Sequence, residues 1–196
     1  MPRAGLTRSA VTEVAIDVVD SGGVTGYERL TLAAVAGSAG VAVPSLYKHV
    51  ASLDDLRRLV AAESIGELTR VIAGATIGRS GPDAIRAAAD AVRAFAHAHP
   101  GRYAATQVSP LVSDPGDEEL AARAAETVSV LSAALRGFGL PESQTVDGIR
   151  MLRSAIHGFV TLELGGGFGL PDDLDRSFRI LIDAVVAALM SAATRQ

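Results

Sequence analysis

Apolar residues in this chain recur at intervals of three and four and nowhere alternate at two, which confines it to helices packed on helices. In the opening segment Val11, Val14, Ala15, Val18 and Val19 share one face, and Gly22-Gly23 closes it as glycines close a helix C-terminus. The same spacing predicts short helices over about Thr31 to Ala39 and Val43 to His49, with Gly40 between them. A longer helix opens at Ser52, where Ser52 and Asp55 stand at capping-box spacing, and turns Leu56, Leu59, Val60, Leu68 and Ile72 inward. After a loop at 78–82, Ile85, Ala89, Val92 and Phe95 mark a fifth helix that stops at His99-Pro100. A sixth segment covers about Tyr103 to Leu111, and a seventh starts in the acidic run 117–119 and closes at Gly137 and Gly139. The eighth runs from about Pro141 to Gly165-Gly166-Gly167, and the ninth begins at Pro171-Asp172-Asp173. The expected fold class is therefore all-α, about nine helices with short connections and a seam near residues 50–55.

Composition narrows the function classes. Hydrophobic residues make up 48% of the 196 and charged ones 20%, more apolar surface than one average core hides, so a partner subunit or a ligand pocket is expected to cover some of it. The net charge of −4 argues against a protein that coats nucleic acid over its whole surface. Residues 1–60 carry six basic and six acidic side chains, leaving the deficit to the remainder. With no cysteine, disulfides and thiolate chemistry are excluded. No apolar run reaches the roughly 18 residues of a membrane span, and the opening MPRAGLTRSAVTEV lacks a secretory leader's apolar core. The expectation is a cytoplasmic protein with no membrane partner.

The most informative stretch is 30–50. Two helices of about two turns meet at Gly40, where a helix-turn-helix needs a positive φ that glycine reaches at no cost. Small Ala36 lets the helices approach, and Val35, Val41 and Leu46 lock their angle. Pro44 suits the first turn of the second helix. Ser45, Tyr47, Lys48 and His49 then offer donors suited to phosphates and base edges within one and a half turns, and Lys48 is the only lysine among 18 basic residues.

This segment resembles the DNA-binding region of the TetR family through Leu30-Thr31, Val35-Ala36, Gly40-Val41, Leu46-Tyr47, His49-Val50 and Asp54-Asp55-Leu56, a match over about residues 6–60. The resemblance implies an N-terminal helix-turn-helix domain over 1–52 and an effector-binding and dimerisation domain over 53–196. It implies phosphate contacts from Thr31 and Tyr47, Val43, Pro44 and Ser45 facing the major groove, and Lys48 and His49 clamping the backbone. Three positions depart from the family pattern: Ala42 lacks a capping hydroxyl, Leu53 stands in place of a common lysine, and Ala33 in place of a frequent arginine. Arg3, Arg8, Arg57 and Arg58 are the cations expected to compensate. The implied partners are double-stranded DNA carrying a palindromic operator, a small-molecule effector, and a second copy of the chain; no cofactor is implied.

Farther along, Ala155-Ile156-His157-Gly158-Phe159-Val160 resembles a TetR C-terminal subgroup marked by a Trp and a His-Gly pair, with Arg153 near the place of the missing Trp. In the family the last two long helices pair across the dimer, which implies His157, Gly158, Phe178, Ile182 and Val185 as interface residues. Phe95, His99, Tyr103, Met151 and Phe159 are candidates for the effector pocket, each also readable as core. His97 and His99 lie about 200° apart on a helix and cannot share a metal. The acidic run 117–119 reads as a solvated helix start. Two other functions stay open on the sequence: a helical enzyme using His157 and Glu163 as acid and base, although six residues set these nearly opposite on a helix, and a helical adaptor that has lost DNA binding at Ala33, Ala42 and Leu53.

Overall fold

Thr7 opens the first helix, α1 (Arg8–Ser21), by accepting the Ala10 N–H at 3.1 Å, and the same device recurs along the chain. The computed structural model describes residues 6–110 and 115–194. Among these it is all-helical, with α2 (Leu32–Ala39), α3 (Val43–Leu46), α4 (Leu53–Thr76), α5 (Gly81–Ala98), α6 (Pro100–Ala105), α7 (Glu118–Leu135), α8 (Glu142–Leu164) and α9 (Leu174–Ala193). Single 3-10 turns stand at Gly23–Thr25, Pro115–Asp117 and Arg136–Phe138. None of the described helices is long and apolar enough to cross a membrane.

The chain forms two compact units, one of residues 1–66 with 99–124 and the other of 67–98 with 125–196, so α4 and α7 contribute residues to both. In the first unit Val11, Ala15 and Val19 of α1, Val35 and Ala36 of α2, Leu46 of α3 and Leu56 and Val60 of α4 form one buried cluster. Leu53 packs against this cluster, which gives a structural reason for an apolar residue there. Ala61, Ala62, Ile65 and Leu120 make a second, smaller cluster. In the second unit α5, α8 and α9 pack on one another. Their inward faces carry Ile85, Val92 and Phe95; Leu152, Ile156 and Phe159; and Phe178, Ile182 and Val185, all buried.

Several boundaries differ from the sequence expectation. Regular helix in α3 ends at Leu46, since the N–H groups of both His49 and Val50 fall back on the Leu46 carbonyl and tighten the last turn while Val50 is drawn into the core. The sixth helix begins three residues earlier than expected, with Pro100 in its first turn and His99 at the cap; Leu111, the expected end of that segment, lies outside the described residues. The ninth starts at Leu174, because the Asp173 carboxylate takes the N–H groups of Asp175 and Arg176 and leaves Pro171 outside. Asp117 is not a solvated helix start. It is buried in its 3-10 turn, with Oδ1 3.4 Å from Nε of Arg58.

Candidate nucleic-acid interface

Thr31 caps α2 by accepting the Ala34 N–H at 3.2 Å, and because the residue is exposed its hydroxyl proton is left for an outside acceptor. At the other end Gly40 adopts φ +66° and ψ +34°, the left-handed conformation that turns the chain into α3. The Val41 N–H then reaches back to the Ala36 carbonyl at 3.0 Å. Ala42 occupies the cap of α3 and supplies no side-chain acceptor, so this helix start rests on the Ser45 N–H donating to the Ala42 carbonyl at 2.9 Å and on packing. Behind it Leu46 is fully buried, and Val43 and Val41 pack against the same core. The outward side of α3 and its closing turn carries Pro44, Tyr47 and Lys48, all exposed, with Ser45 and His49 half-buried beside them. Tyr47 is 56% exposed, which removes a core role and leaves its phenol available to a partner.

The cations expected to compensate for the missing family residues are otherwise engaged. Arg8 donates to Asp55 at 2.9 Å, and the same carboxylate accepts the Ala51 N–H at 2.8 Å while Ser52 Oγ accepts the Asp55 N–H at 3.0 Å. The cap of α4 is thus a box shifted by one residue, with a guanidinium added. Arg57 donates to the carbonyl oxygens of Glu28 at 3.0 Å and Leu30 at 3.4 Å, and Arg58 faces Asp117. Arg3 lies outside the described residues. Arg29, which the sequence reading passed over, is exposed beside α2.

The effector candidates divide between the units. In the first, Tyr103 is buried and His99 receives a hydrogen bond from Arg102. Arg102 also grips Asp20 of α1 bidentately, Nε to Oδ1 at 2.9 Å and Nη2 to Oδ2 at 2.8 Å. In the second, Phe95 is buried, Met151 is half-buried, and Phe159 packs its ring 4.8 Å from Phe168 and 5.1 Å from Phe178. A groove of about 580 Å³ in that unit is lined by other side chains, among them Arg93, His97, Glu163 and Asp175. There the Arg93 guanidinium lies over the Phe178 ring at 4.9 Å and bonds Glu163 and Asp175. The hydrogen bonds from Arg93 hold the Glu163 carboxyl below the usual carboxylate range against the opposing effect of burial, and His97 adds to the lowering.

Glu163 is therefore committed to Arg93 and His97. The His157 ring lies 3.4 Å from the Thr161 hydroxyl on its own helix, and burial, then the Arg153 charge, push its pKa down. No group of three potential metal ligands gathers among the described residues. Of the interface candidates, Phe178, Ile182 and Val185 are spent in the core of their own unit, whereas His157 is half-buried and Gly158 exposed.

The sequence model of the Tetracyclin repressor-like, C-terminal domain family matches residues 85–185. The chain is 37% identical over 172 residues to the uncharacterized HTH-type transcriptional regulator Rv0681 of Mycobacterium tuberculosis, a match spanning 88% of this chain and 75% of that protein. A TetR variant from Acinetobacter baumannii, solved in complex with minocycline, superposes with a TM-score of 0.71 at 17% identity, over 97% of this chain and 99% of that one. BioQ, solved with its natural double-stranded DNA operator, superposes with a TM-score of 0.62 at 20% identity, over 95% of this chain and 99% of that one.

Proposed function

Because the chain belongs to the TetR family of transcriptional regulators, we propose that it is a repressor which leaves a palindromic operator when a small molecule binds its C-terminal part. The observation that carries this reading is the α2–Gly40–α3 pair: buried Val35, Ala36 and Leu46 fix the two helices, and Pro44, Tyr47 and Lys48 stand outward together. Such an arrangement offers a helix end to a major groove while the tyrosine and lysine reach the flanking phosphates. On this reading Thr31, Val43, Pro44, Ser45, Tyr47, Lys48 and His49 form the DNA contact, and residues 1–52 carry it. Operator binding, as BioQ does, and effector binding, as the minocycline-bound TetR variant does, are the activities assigned here.

Residues 53–196 carry the effector site and the dimer seam, and the protein acts in the cytoplasm. Exposed apolar positions support a seam on α8 and α9: Leu162 of α8 lies one turn from exposed Gly158, and Ile180 and Met190 of α9 are exposed as well. Phe178, Ile182 and Val185 back this face from within. A two-fold dimer would present two recognition helices about 34 Å apart, one helical turn of DNA.

Selection of binding sites from random DNA tests the proposal, run beside a Tyr47→Ala, Lys48→Ala double variant checked for helicity. Enrichment of a near-palindrome by the native chain and its loss in the variant are expected. A folded native chain that enriches nothing would overturn the reading in favour of an adaptor.

A further inference from the structure

Five described cations lie within the first 60 residues, and three of them are held by their own fold: Arg8 by Asp55, Arg57 by the carbonyls of Glu28 and Leu30, and Arg58 by Asp117. The other two are Lys48 and Arg29. Both are exposed, and neither makes an ion pair or side-chain hydrogen bond with the described residues. Lys48 belongs to the recognition segment already described. Arg29 does not, and the chain around it is unusually well fixed for a connection between helices. Leu30 is fully buried in the core cluster on one side of it. On the other, the Tyr27 hydroxyl donates to the Arg57 carbonyl at 3.2 Å. The guanidinium of Arg57 spans the carbonyls at 28 and 30, on either side of Arg29. The Arg29 N–H is itself bonded to Thr25 O at 3.0 Å.

A side chain of high rotational freedom on a fixed backbone loses less entropy on binding than one on a mobile loop. The position is also suited to an anion, since Arg29 stands two residues before the Thr31 cap, whose hydroxyl proton is free and whose helix begins with unpaired N–H groups. The geometry points to Arg29 as a backbone phosphate anchor, and to Arg57 as the residue that positions it. This assignment rests on the DNA-binding reading above. It accounts for how the chain grips a phosphate backbone with alanine at 33 and leucine at 53: the charge is moved to the connection before α2, and the arginine on α4 serves as a brace and not as a contact.

Salt dependence separates a phosphate contact from any structural role. The binding of a fluorescent duplex carrying the selected palindrome, and of a mixed-sequence duplex of equal length, is measured between 50 and 200 mM KCl for the native chain, Arg29→Gln and Arg29→Lys. Each phosphate contact steepens the dependence of log affinity on log salt by about 0.9. A dimer on its palindrome loses two such contacts in Arg29→Gln, so its affinity deficit is expected to shrink by about tenfold across that range. Arg29→Lys is expected to restore the native slope, and all three proteins to unfold at the same temperature. Arg57→Gln is expected to weaken binding in the native background and to cost little more once Arg29 is replaced. Parallel salt slopes for the native chain and Arg29→Gln would overturn the anchor, and fully additive losses from the two replacements would overturn the positioning role. A native chain that binds neither duplex would overturn the regulator reading itself.

Discussion

Glu163 is 8% exposed by its side chain and accepts from Arg93 while facing His97 at 2.9 Å, so one carboxylate ties α5 to the end of α8. Its pKa is lowered by those hydrogen bonds, which means that ionised Glu163 is favoured in the folded state. The sign follows from linkage: the stabilisation is complete above the ordinary value near 4.3 and is lost as pH falls through the lower, folded value. Replacing it by Gln should therefore cost about 2 kcal/mol near neutrality, where a charged acceptor is exchanged for a neutral one. The gap in melting temperature between native and Glu163→Gln should close as the buffer is taken from pH 6 toward pH 3. A gap that stays constant across that range would show that the carboxylate's charge contributes nothing. This pairing was not legible in the sequence, and neither was that of Arg8 with Asp55 or Arg58 with Asp117, because each joins residues tens of positions apart. Gly40 was legible, because a left-handed turn is decided by residues within a few positions of each other, whereas Thr31 reads in the sequence as the start of the helix and its capping role comes from the structure.

Among the elements, the long helices followed from apolar spacing, since each buries a face wide enough to leave a period. Short ones did not. Four residues of α3 and six of α6 carry no period, and their ends are set by where the next buried side chain must go. In α6 that constraint is a glycine: a Cβ on Gly101 would lie 2.7 Å from the Val19 carbonyl oxygen and 2.8 Å from that of Gly23, both backbone atoms that cannot swing aside. The bidentate grip of Arg102 on Asp20 depends on the same close approach to α1. Gly101→Ala is thus expected to cost about 1–3 kcal/mol through overpacking, which in a chain of this size lowers the melting temperature by roughly 2–12 °C. Gly37→Ala provides the contrast. Its Cβ would meet nothing within 4 Å inside α2, so the gain in helix propensity should raise stability by up to about 1 kcal/mol. Thermal unfolding of the two variants followed by circular dichroism tests both signs, and a neutral Gly101→Ala would mean that α6 can move off α1 without penalty.

For the molecule as a whole, the excess of apolar residues in the composition called for a second surface to be covered, but which face it is depends on packing that no single segment encodes. The period of α9 made Phe178, Ile182 and Val185 equally good for a core or for a seam, and they are spent in the core. Gly158 and Leu162, one turn apart, remain outward on one face of α8, and a Cβ on Gly158 would meet nothing within 4 Å in its own protomer. That openness gives a clean discrimination. If α8 meets its symmetry mate here, Gly158 is the point of closest approach, and Gly158→Leu should keep or slightly raise helicity, because leucine outranks glycine in a helix interior. The same change should push the partner helix away and weaken association. Sedimentation equilibrium would then show monomer at concentrations where the native chain is dimeric. Operator binding would become steeply dependent on protein concentration, since a two-fold site rewards only a joined pair of recognition helices. A Gly158→Leu chain that remains as dimeric as the native one would move the seam off this face of α8, and the exposed Ile180 and Met190 of α9 would then be the surface to mutate next.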